Sequence, residues 1–490
     1  MKQIILFWLL NMLLVNTLLG QSALSHEWIT GAGGSRIKFT QNGITTNINN
    51  YIYSYFTGGN SCISDTNGNL ILASNGFNVY GSNGQLIEDG DTIVPTAYYI
   101  AKNGSSFNSQ TSIILPTEYK RYYLVTSSFS DNQHIDCITN NNCYHDLLLY
   151  NIIDMNANGG AGKVVKRMVP ALSNAQLRKT QMMACRHGNG KDWWLLKNEG
   201  DNGNVHTFLF TKDSVYDKGV QVFSQPNWGP WDIQGQSTFN SDGSMFATAS
   251  HCSSCGLIFI AHFDRCYGIL SNPFVIQMPL GSQHNPNDTT LTDRESTGLA
   301  FSPNNQFLYA ISYTNVYQYD LQDNTWFHVA GLDTLANAAQ GYKTAYLAPD
   351  GKIYIGNFGG LSKQMSRIDK PDVKGAGCNF CPRCLRLDSL GANANVGTPP
   401  CMPNYGLGAK TCWPLSHDDV LVGNDHLAVY PNPTNSILNF KNKTGQHKYL
   451  YNTLGQLIRT TQTNEMDIRG LHPGVYYVKC DGETRKVIVE

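Results

Sequence analysis

Charge is scarce in this chain. Of 490 residues, 35 are Lys or Arg and 36 are Asp or Glu, so 14% are charged, against about 25% in an ordinary globular domain. The formal net charge is −1 and no basic stripe interrupts it. That excludes a nucleic-acid partner and a membrane-surface role driven by charge. Helical periodicity is missing over any long stretch; the best helical candidate is short, around Ser173-Asn174-Ala175-Gln176-Leu177-Arg178. Past residue 19 no run is long and apolar enough to span a bilayer, so no transmembrane segment is expected there. No nucleophile elbow, zinc-protease helix, Walker loop or dinucleotide fingerprint occurs, and nothing calls for a cofactor. The missing local motifs lower the case for an enzyme without removing it, because paired catalytic carboxylates are neighbours in space and not in sequence.

What is present points outward from the cell. Lys2 precedes an apolar run at 4–19, and small or polar residues follow at 20–25. This is the order of a secretory signal peptide, placed at 1–20. The run is shorter than the ~20 residues of a membrane span, and Asn11 and Asn16 interrupt it. The first cysteine is Cys62, which disfavours a lipid anchor at the end of the leader. Thirteen cysteines in an exported chain suggest disulfides. The candidates are Cys137 with Cys143, the cluster Cys252, Cys255 and Cys266, and the group Cys378, Cys381, Cys384, Cys401 and Cys412. Zinc is the alternative for the C-x2-C pairs. His134, Asp136, His145 and Asp146 flank the first pair, and a bridge closing a surface loop is preferred there over a metal site.

The middle of the chain repeats one shape: a turn of Asp, Asn and Gly, then a short apolar strand. It occurs at 64–72, 240–247, 301–309 and 348–355. Such turns join adjacent antiparallel strands. The turns near 242, 304 and 350 lie 46 to 62 residues apart, a spacing that suits small sheets repeated around a propeller. The fold class expected is all-β: a β-propeller with WD-like repeats at 21–415, of about seven blades, then a linker at 416–423 and a small β-sandwich at 424–490. A pair of β-sandwiches is the alternative. Asp65-x-Asn67-Gly68-Asn69 lacks the glycine and glutamate positions of an EF-hand and reads as a hairpin turn.

The final module carries Tyr430-Pro431-Asn432-Pro433, then Asn452-x-Leu454-Gly455-Gln456-Leu457, then Gly470-Leu471-x-Pro473-Gly474-x-Tyr476, and Lys486-Val487-Ile488-Val489 near the terminus. In this order it resembles the type A C-terminal sorting domain of the type IX secretion system of Bacteroidetes. The resemblance implies that Tyr430, Pro431, Asn432, Pro433, Gly455, Gln456, Pro473, Gly474, Tyr476 and Lys486 belong to a sorting signal. It further implies that the secretion machinery is a partner, and that the product reaches the outer surface or the medium by way of the periplasm. A second resemblance covers most of 28–360, to the propeller region of surface proteins of gliding Bacteroidetes. It is carried by Ile63-Ser64-Asp65-x-Asn67-Gly68-Asn69-Leu70, by Gln110-Thr111-x-Ile113-Ile114-Leu115-Pro116, by Ala184-x-Arg186-His187-Gly188-Asn189-Gly190-Lys191-Asp192-Trp193-Trp194, and by Pro349-Asp350-Gly351-Lys352-Ile353-Tyr354.

The richest polar-aromatic cluster is Arg186, His187, Trp193 and Trp194, joined by Trp228 and Trp231. Aromatic faces stack on sugars and charged groups bond hydroxyls, so these six are candidate ligand residues; buried tryptophans beneath a blade turn are the plainer reading. The expected function is a secreted or surface-bound interaction protein with a glycan or protein ligand. The alternatives are an extracellular carbohydrate-active hydrolase or lyase with carboxylates at the propeller axis, and a structural part of the gliding or envelope machinery.

Overall fold

The computed structural model describes residues 23–48, 55–104, 106, 108–200, 203–227, 235–250, 256–279, 297–332, 341–357, 362–387, 395–412, 427–441, 443–481 and 483–490. The expected signal peptide at 1–20 and linker at 416–423 lie outside these residues. The chain divides into two compact units, Met1–Lys410 and Thr411–Glu490.

The first unit is a β-propeller, whose described residues form seven antiparallel blades in chain order. Blade 1 spans 27–56, blade 2 spans 61–81, and blades 5, 6 and 7 are four-stranded sheets at 245–277 with the inner strand Gly235–Phe239, at 298–331 and at 342–386. Blades 3 and 4 share one seven-stranded sheet, 112–221. They are joined by the 24-residue strand Lys163–Arg186. Its first part pairs with His145–Asp154 as the outer strand of blade 3, and its second part pairs with Trp193–Glu199 as the inner strand of blade 4. The short helical candidate at 173–178 is therefore corrected to strand: Ser173 and Leu177 pair with Leu147 and His145, and Leu177 also with Glu199, which gives its backbone ladder bonds that a lone turn of helix could not match. Helices occur instead at Thr96–Ala101 and Asp131–Asn140, the latter capped by the Ser130 hydroxyl accepting from Gln133 N–H at 3.1 Å.

The Asp-Gly and Asn-Asn turns join the first and second strands of their blades, and neighbouring turns bond to one another. Asp65 accepts from the Asn67 and Asn69 N–H groups at 2.8 Å, as a hairpin turn requires. The Asn305 amide donates to Asp242 at 3.1 Å and accepts from Ser241.

The inner strands leave backbone groups facing the axis, and buried backbone groups must be paired. Side-chain amides do this. Gln110 accepts from Ser237 N–H and donates to Ser237 C=O, both at 2.7 Å. Gln236 donates to Ala345 C=O at 2.7 Å and accepts from the N–H groups of Leu299 at 3.0 Å and Ala345 at 3.1 Å. Blades 3, 5, 6 and 7 are thus stitched by two glutamines.

The segment 395–410 completes the closure. The Gly397 carbonyl accepts from Asn357 N–H of blade 7 at 3.1 Å, and the Asn395 amide donates to Ala32 C=O of blade 1 at 3.0 Å. Cys401 N–H donates to Asn60 C=O at 2.7 Å, Tyr405 O–H to Ile114 C=O of blade 3 at 2.8 Å, and the Asn404 amide to Ser241 C=O of blade 5 at 2.9 Å. Three prolines, Pro399, Pro400 and Pro403, bring no N–H that would need a partner in the hub. Gly31, with φ of 73°, passes so close to the Asn395 carbonyl that a Cβ there would collide with it. Among the described residues a cavity of about 60 Å³ lies at the axis; its lining includes Trp28, Met183, Phe239, Asn240, Phe301 and Met402 and no carboxylate.

The second unit packs a three-stranded sheet (Ala428–Tyr430, Ile437–Lys441, Glu465–Asp467) and a four-stranded sheet (Leu457–Thr461, Lys448–Asn452, Gly474–Cys480, Glu483–Val489) around Leu427, Leu438, Phe440, Leu450, Met466, Val478 and Val487. It is the small β-sandwich expected.

Gln236→Leu strands three buried backbone groups at once. It is expected to destabilise the propeller by roughly 3 kcal/mol, read as a lower urea midpoint at unchanged slope; a midpoint equal to that of the parent would contradict the stitching role.

Candidate functional site

A groove of about 540 Å³ opens on the face of the propeller that carries the first-to-second-strand turns, between blades 3 and 4. Four chain segments build it: Leu24 near the N-terminus, the turn after Ser112–Pro116, the loop 186–193 and the turn 210–213. Its volume lies in the range of small-ligand pockets, about 300–1,000 Å³, which the axial cavity does not approach. Leu24 and Pro116 supply apolar wall above the buried rings of Trp193 and Phe210, and Glu118, Arg186, Lys191, Asp192, Lys212 and Asp213 supply charge.

Two of the sequence-predicted ligand residues, Arg186 and Trp193, line this groove. The guanidinium of Arg186 lies 4.0 Å above the centre of the Trp193 ring, a cation–π contact. It also donates to the carbonyls of Lys191 at 3.2 Å and Tyr405 at 3.4 Å. Burial pushes this guanidinium down to about 10. The loop itself is fixed by Asn189, which accepts from the N–H groups of Lys191 and Asp192 and donates to the Asp192 carboxylate at 2.7 Å.

Trp193 and Trp194 are 1% and 2% exposed. Trp193 is covered by Arg186, meets Tyr405 edge-on and donates from Nε1 to Pro116 C=O at 2.9 Å; Trp194 donates to Arg265 C=O at 2.7 Å. Their rings are therefore core, not open sugar platforms, which corrects the stacking role expected of them. His187 packs 5.3 Å from Trp194 and accepts on Nδ1 from Asn189 N–H at 2.9 Å. Burial lowers its pKa, outweighing the carboxylate of Asp192. Trp228 and Trp231 lie outside the described residues. Sequence reasoning passed over Glu118, Lys212 and Asp213, and with them the neighbouring turn residue Tyr119. A signal was there: the turn between the strand-like runs at 113–116 and 122–124 contains neither Gly nor Asn.

The cysteines divide by environment. Cys137 and Cys143 form a disulfide with Cα atoms 4.4 Å apart, and Cys381 and Cys384 form another at 5.7 Å. Cys266 and Cys412 are each disulfide-bonded, and Cys252 and Cys255 fall outside the described residues. Cys378 and Cys401 are instead free and buried, which corrects their assignment as bridge candidates. Each is a small interior residue beside a tyrosine, Tyr309 and Tyr346 respectively, and burial pushes the Cys401 thiol up to about 12; a thiol held protonated is inert. Near the first disulfide, His134 packs against Tyr98 and Phe129, and His145 shares a hydrogen bond with the Ser127 hydroxyl at 2.9 Å. Among the described residues no group of three or more His, Cys, Asp or Glu side chains could hold a metal ion.

In the C-terminal sandwich the motif residues make its turns and edges. The Asn432 amide donates to Lys486 C=O and accepts from Ile488 N–H, both at 2.8 Å, so the first block is bonded to the last strand. Asn452 Oδ1 accepts from Leu454 and Gln456 N–H at 3.0 and 2.9 Å, and Gly455 adopts a φ of 77° in that turn. The Tyr476 hydroxyl donates to His472 C=O at 3.0 Å, closing the Pro473-Gly474 turn.

Fold and sites together define a seven-bladed β-propeller with an inter-blade groove, followed by a β-sandwich export module. Residues 428–490 match the family of secretion system C-terminal sorting domains, and the chain thus bears a type IX sorting C-terminus that marks it for export to the cell surface or the medium. No curated protein matches the chain. Similar solved structures include a protein from Lactobacillus plantarum (12% identity, 90% of this chain and 97% of that one, TM-score 0.37). Others are Kuenenia stuttgartiensis hydrazine synthase (12%, 79% and 88%, 0.35) and apo AztD from Citrobacter koseri (12%, 78% and 86%, 0.37).

Deleting 424–490 is expected to leave the protein in the periplasm of a type IX-competent host, as read by fractionation and immunoblotting; secretion at the parental level would refute the sorting role.

Proposed function

We propose that this is an exported binding protein whose propeller holds an extracellular glycan or protein ligand in the groove between blades 3 and 4. The sorting domain delivers it by way of the periplasm to the outer surface or the medium, and its partner during transit is the type IX machinery. The ordered blocks across 28–360 support kinship with the propellers of gliding-associated surface proteins.

The observation that carries the reading is the contrast between axis and groove. Among the described residues the hub holds Gln110, Gln236 and the segment 395–410, and its cavity of about 60 Å³ is lined by hydroxyl, amide, sulfur and apolar groups, with no carboxylate. General acid–base or nucleophilic hydrolysis of a glycoside needs two carboxyl groups flanking the bond, which weighs against the axial hydrolase or lyase. The groove combines apolar wall with converging charged groups, the usual composition of a recognition site.

Thr211→Arg places a long side chain at the groove and removes a hydroxyl that accepts from Ser214 N–H at 3.1 Å, so its melting temperature falls by a few degrees while the propeller still folds. Retention of the purified, folded protein on immobilised surface extracts, polysaccharide and protein fractions separately, is expected to fall by about tenfold or more. Equal retention of variant and parent would remove the groove from the account.

A further inference from the structure

The hairpin that joins Ser112–Pro116 to Arg121–Ser128 turns at 118–121. Arg121 N–H donates to Glu118 C=O at 3.3 Å, and Thr117 N–H donates to Arg121 C=O at 2.9 Å. Its two central residues are Tyr119 and Lys120, with φ of 60° and 56°. Successive positive φ values belong to the primed hairpin turns that Asn-Gly and Asp-Gly occupy, because a bulky side chain disfavours the left-handed region. An aromatic residue there is an outlier.

The turn is held from outside. Met155 N–H donates to Lys120 C=O at 3.1 Å, and the Asn156 amide donates to Tyr119 C=O at 2.7 Å. Asp154 fixes Asn156 by accepting from its N–H at 2.9 Å and is itself paired with Arg121 at 3.0 Å. The neighbours thus impose the conformation. Nothing in the folded chain repays it at the side chain: Tyr119 is 80% exposed, so its ring gains little from burial. Strain that the surroundings enforce and the core does not use is a mark of function.

The turn sits at the groove. Glu118 lines it and forms an ion pair with Lys191 at 3.3 Å. Tyr119, the next residue in the turn, is not among the lining residues and stands beside them at the rim, within electrostatic reach of Lys212, which lines the groove and pairs with Asp213 at 2.6 Å. Three cations, Arg186, Lys191 and Lys212, face three carboxylates, Glu118, Asp192 and Asp213. The formal charges cancel, so no sign of ligand charge is favoured, while donors and acceptors are both plentiful. A polyanion would want surplus cations, and an extended peptide would want a free sheet edge or side-chain pockets. An exposed ring beside balanced donors and acceptors suits a neutral polyhydroxylated ligand, whose C–H face stacks on the aromatic ring while its hydroxyls both give and accept hydrogen bonds.

We propose that Tyr119 is the stacking platform of this groove and that the ligand is a neutral carbohydrate chain. This rests on the groove being the binding site, and names its ligand class.

The decisive variant is Tyr119→Asn with Lys120→Gly, the pair that such a turn prefers. Relief of the strained backbone keeps its melting temperature at or above that of the parent. Affinity electrophoresis of the full chain in gels containing starch, mannan, xylan or galactan is expected to show retardation on at least one of them. In the double variant the apparent Kd on that polymer rises by about tenfold or more, and the ring-conserving Tyr119→Phe recovers most of the loss. Parental retardation in the double variant overturns the proposal, as does retardation only by alginate or heparin, or by no polysaccharide. Retention on a protein fraction that Thr211→Arg abolishes and the double variant keeps would leave the groove as a binding site and sink the carbohydrate assignment alone.

Discussion

The constraint on which this propeller depends is the edge of each inner strand at the axis. A ring of blades turns one row of backbone N–H and C=O groups toward a channel too narrow for bulk water, and each unpaired group there costs about 1–3 kcal/mol. Gln110 and Gln236 answer with side-chain amides that imitate a ladder partner, donating and accepting on the same backbone unit. The segment 395–410 answers with its own backbone, bonding in turn to blades 7, 1, 3 and 5. Ring closure therefore comes from a chain laid across the hub after the last blade. The first blade keeps its own strands, and so does the last.

Filling the axis has a functional consequence. A propeller with an open hub can place its chemistry where all blades converge; here, among the described residues, the segment 395–410 crosses that space, and a larger concavity lies at the seam between two blades. The seam is unusual because blades 3 and 4 share the strand Lys163–Arg186. One continuous strand sets their relative position more firmly than side-chain packing alone, so three of the four segments around the groove, all but Leu24, are carried on one sheet. Arg186, at the end of that strand, then serves both sides: it covers Trp193 as core and presents charge to the groove. Rigid support beneath turns held by their own hydrogen bonds is what positions side chains for recognition.

Much of the fold was legible in the sequence because the information is local. An Asp-Gly or Asn-Asn turn names its own backbone conformation, and the spacing of such turns named the blades. The motifs of the C-terminal sandwich were legible for the same reason, since Asn452, Gly455 and Gln456 bond within one turn. What was hidden depends on distant partners. Residues 173–178 look helical alone and become strand when 145–154 and 193–199 lie on either side. Trp193 and Trp194 look like a sugar platform until Arg186, Tyr405 and Arg265 close over them. Cys378 and Cys401 look like members of a disulfide framework, yet fold into interiors beside tyrosines. Glutamines at 110 and 236 gave no sign of joining blades, because their partners are separated from them by 63 to 127 residues.

The hub can be interrogated directly. Native-state hydrogen exchange at single-residue resolution reports the N–H groups of Ser237, Leu299 and Ala345, which have side-chain amides for partners, and of Cys401, which bonds across the closure. If the glutamines and the crossing segment seal the hub, these four amides exchange as slowly as the interior ladder amides of blades 5 and 6, through global unfolding. Exchange at the rate of exposed turns would mean that the axis is open to water and that the closure described here does not hold.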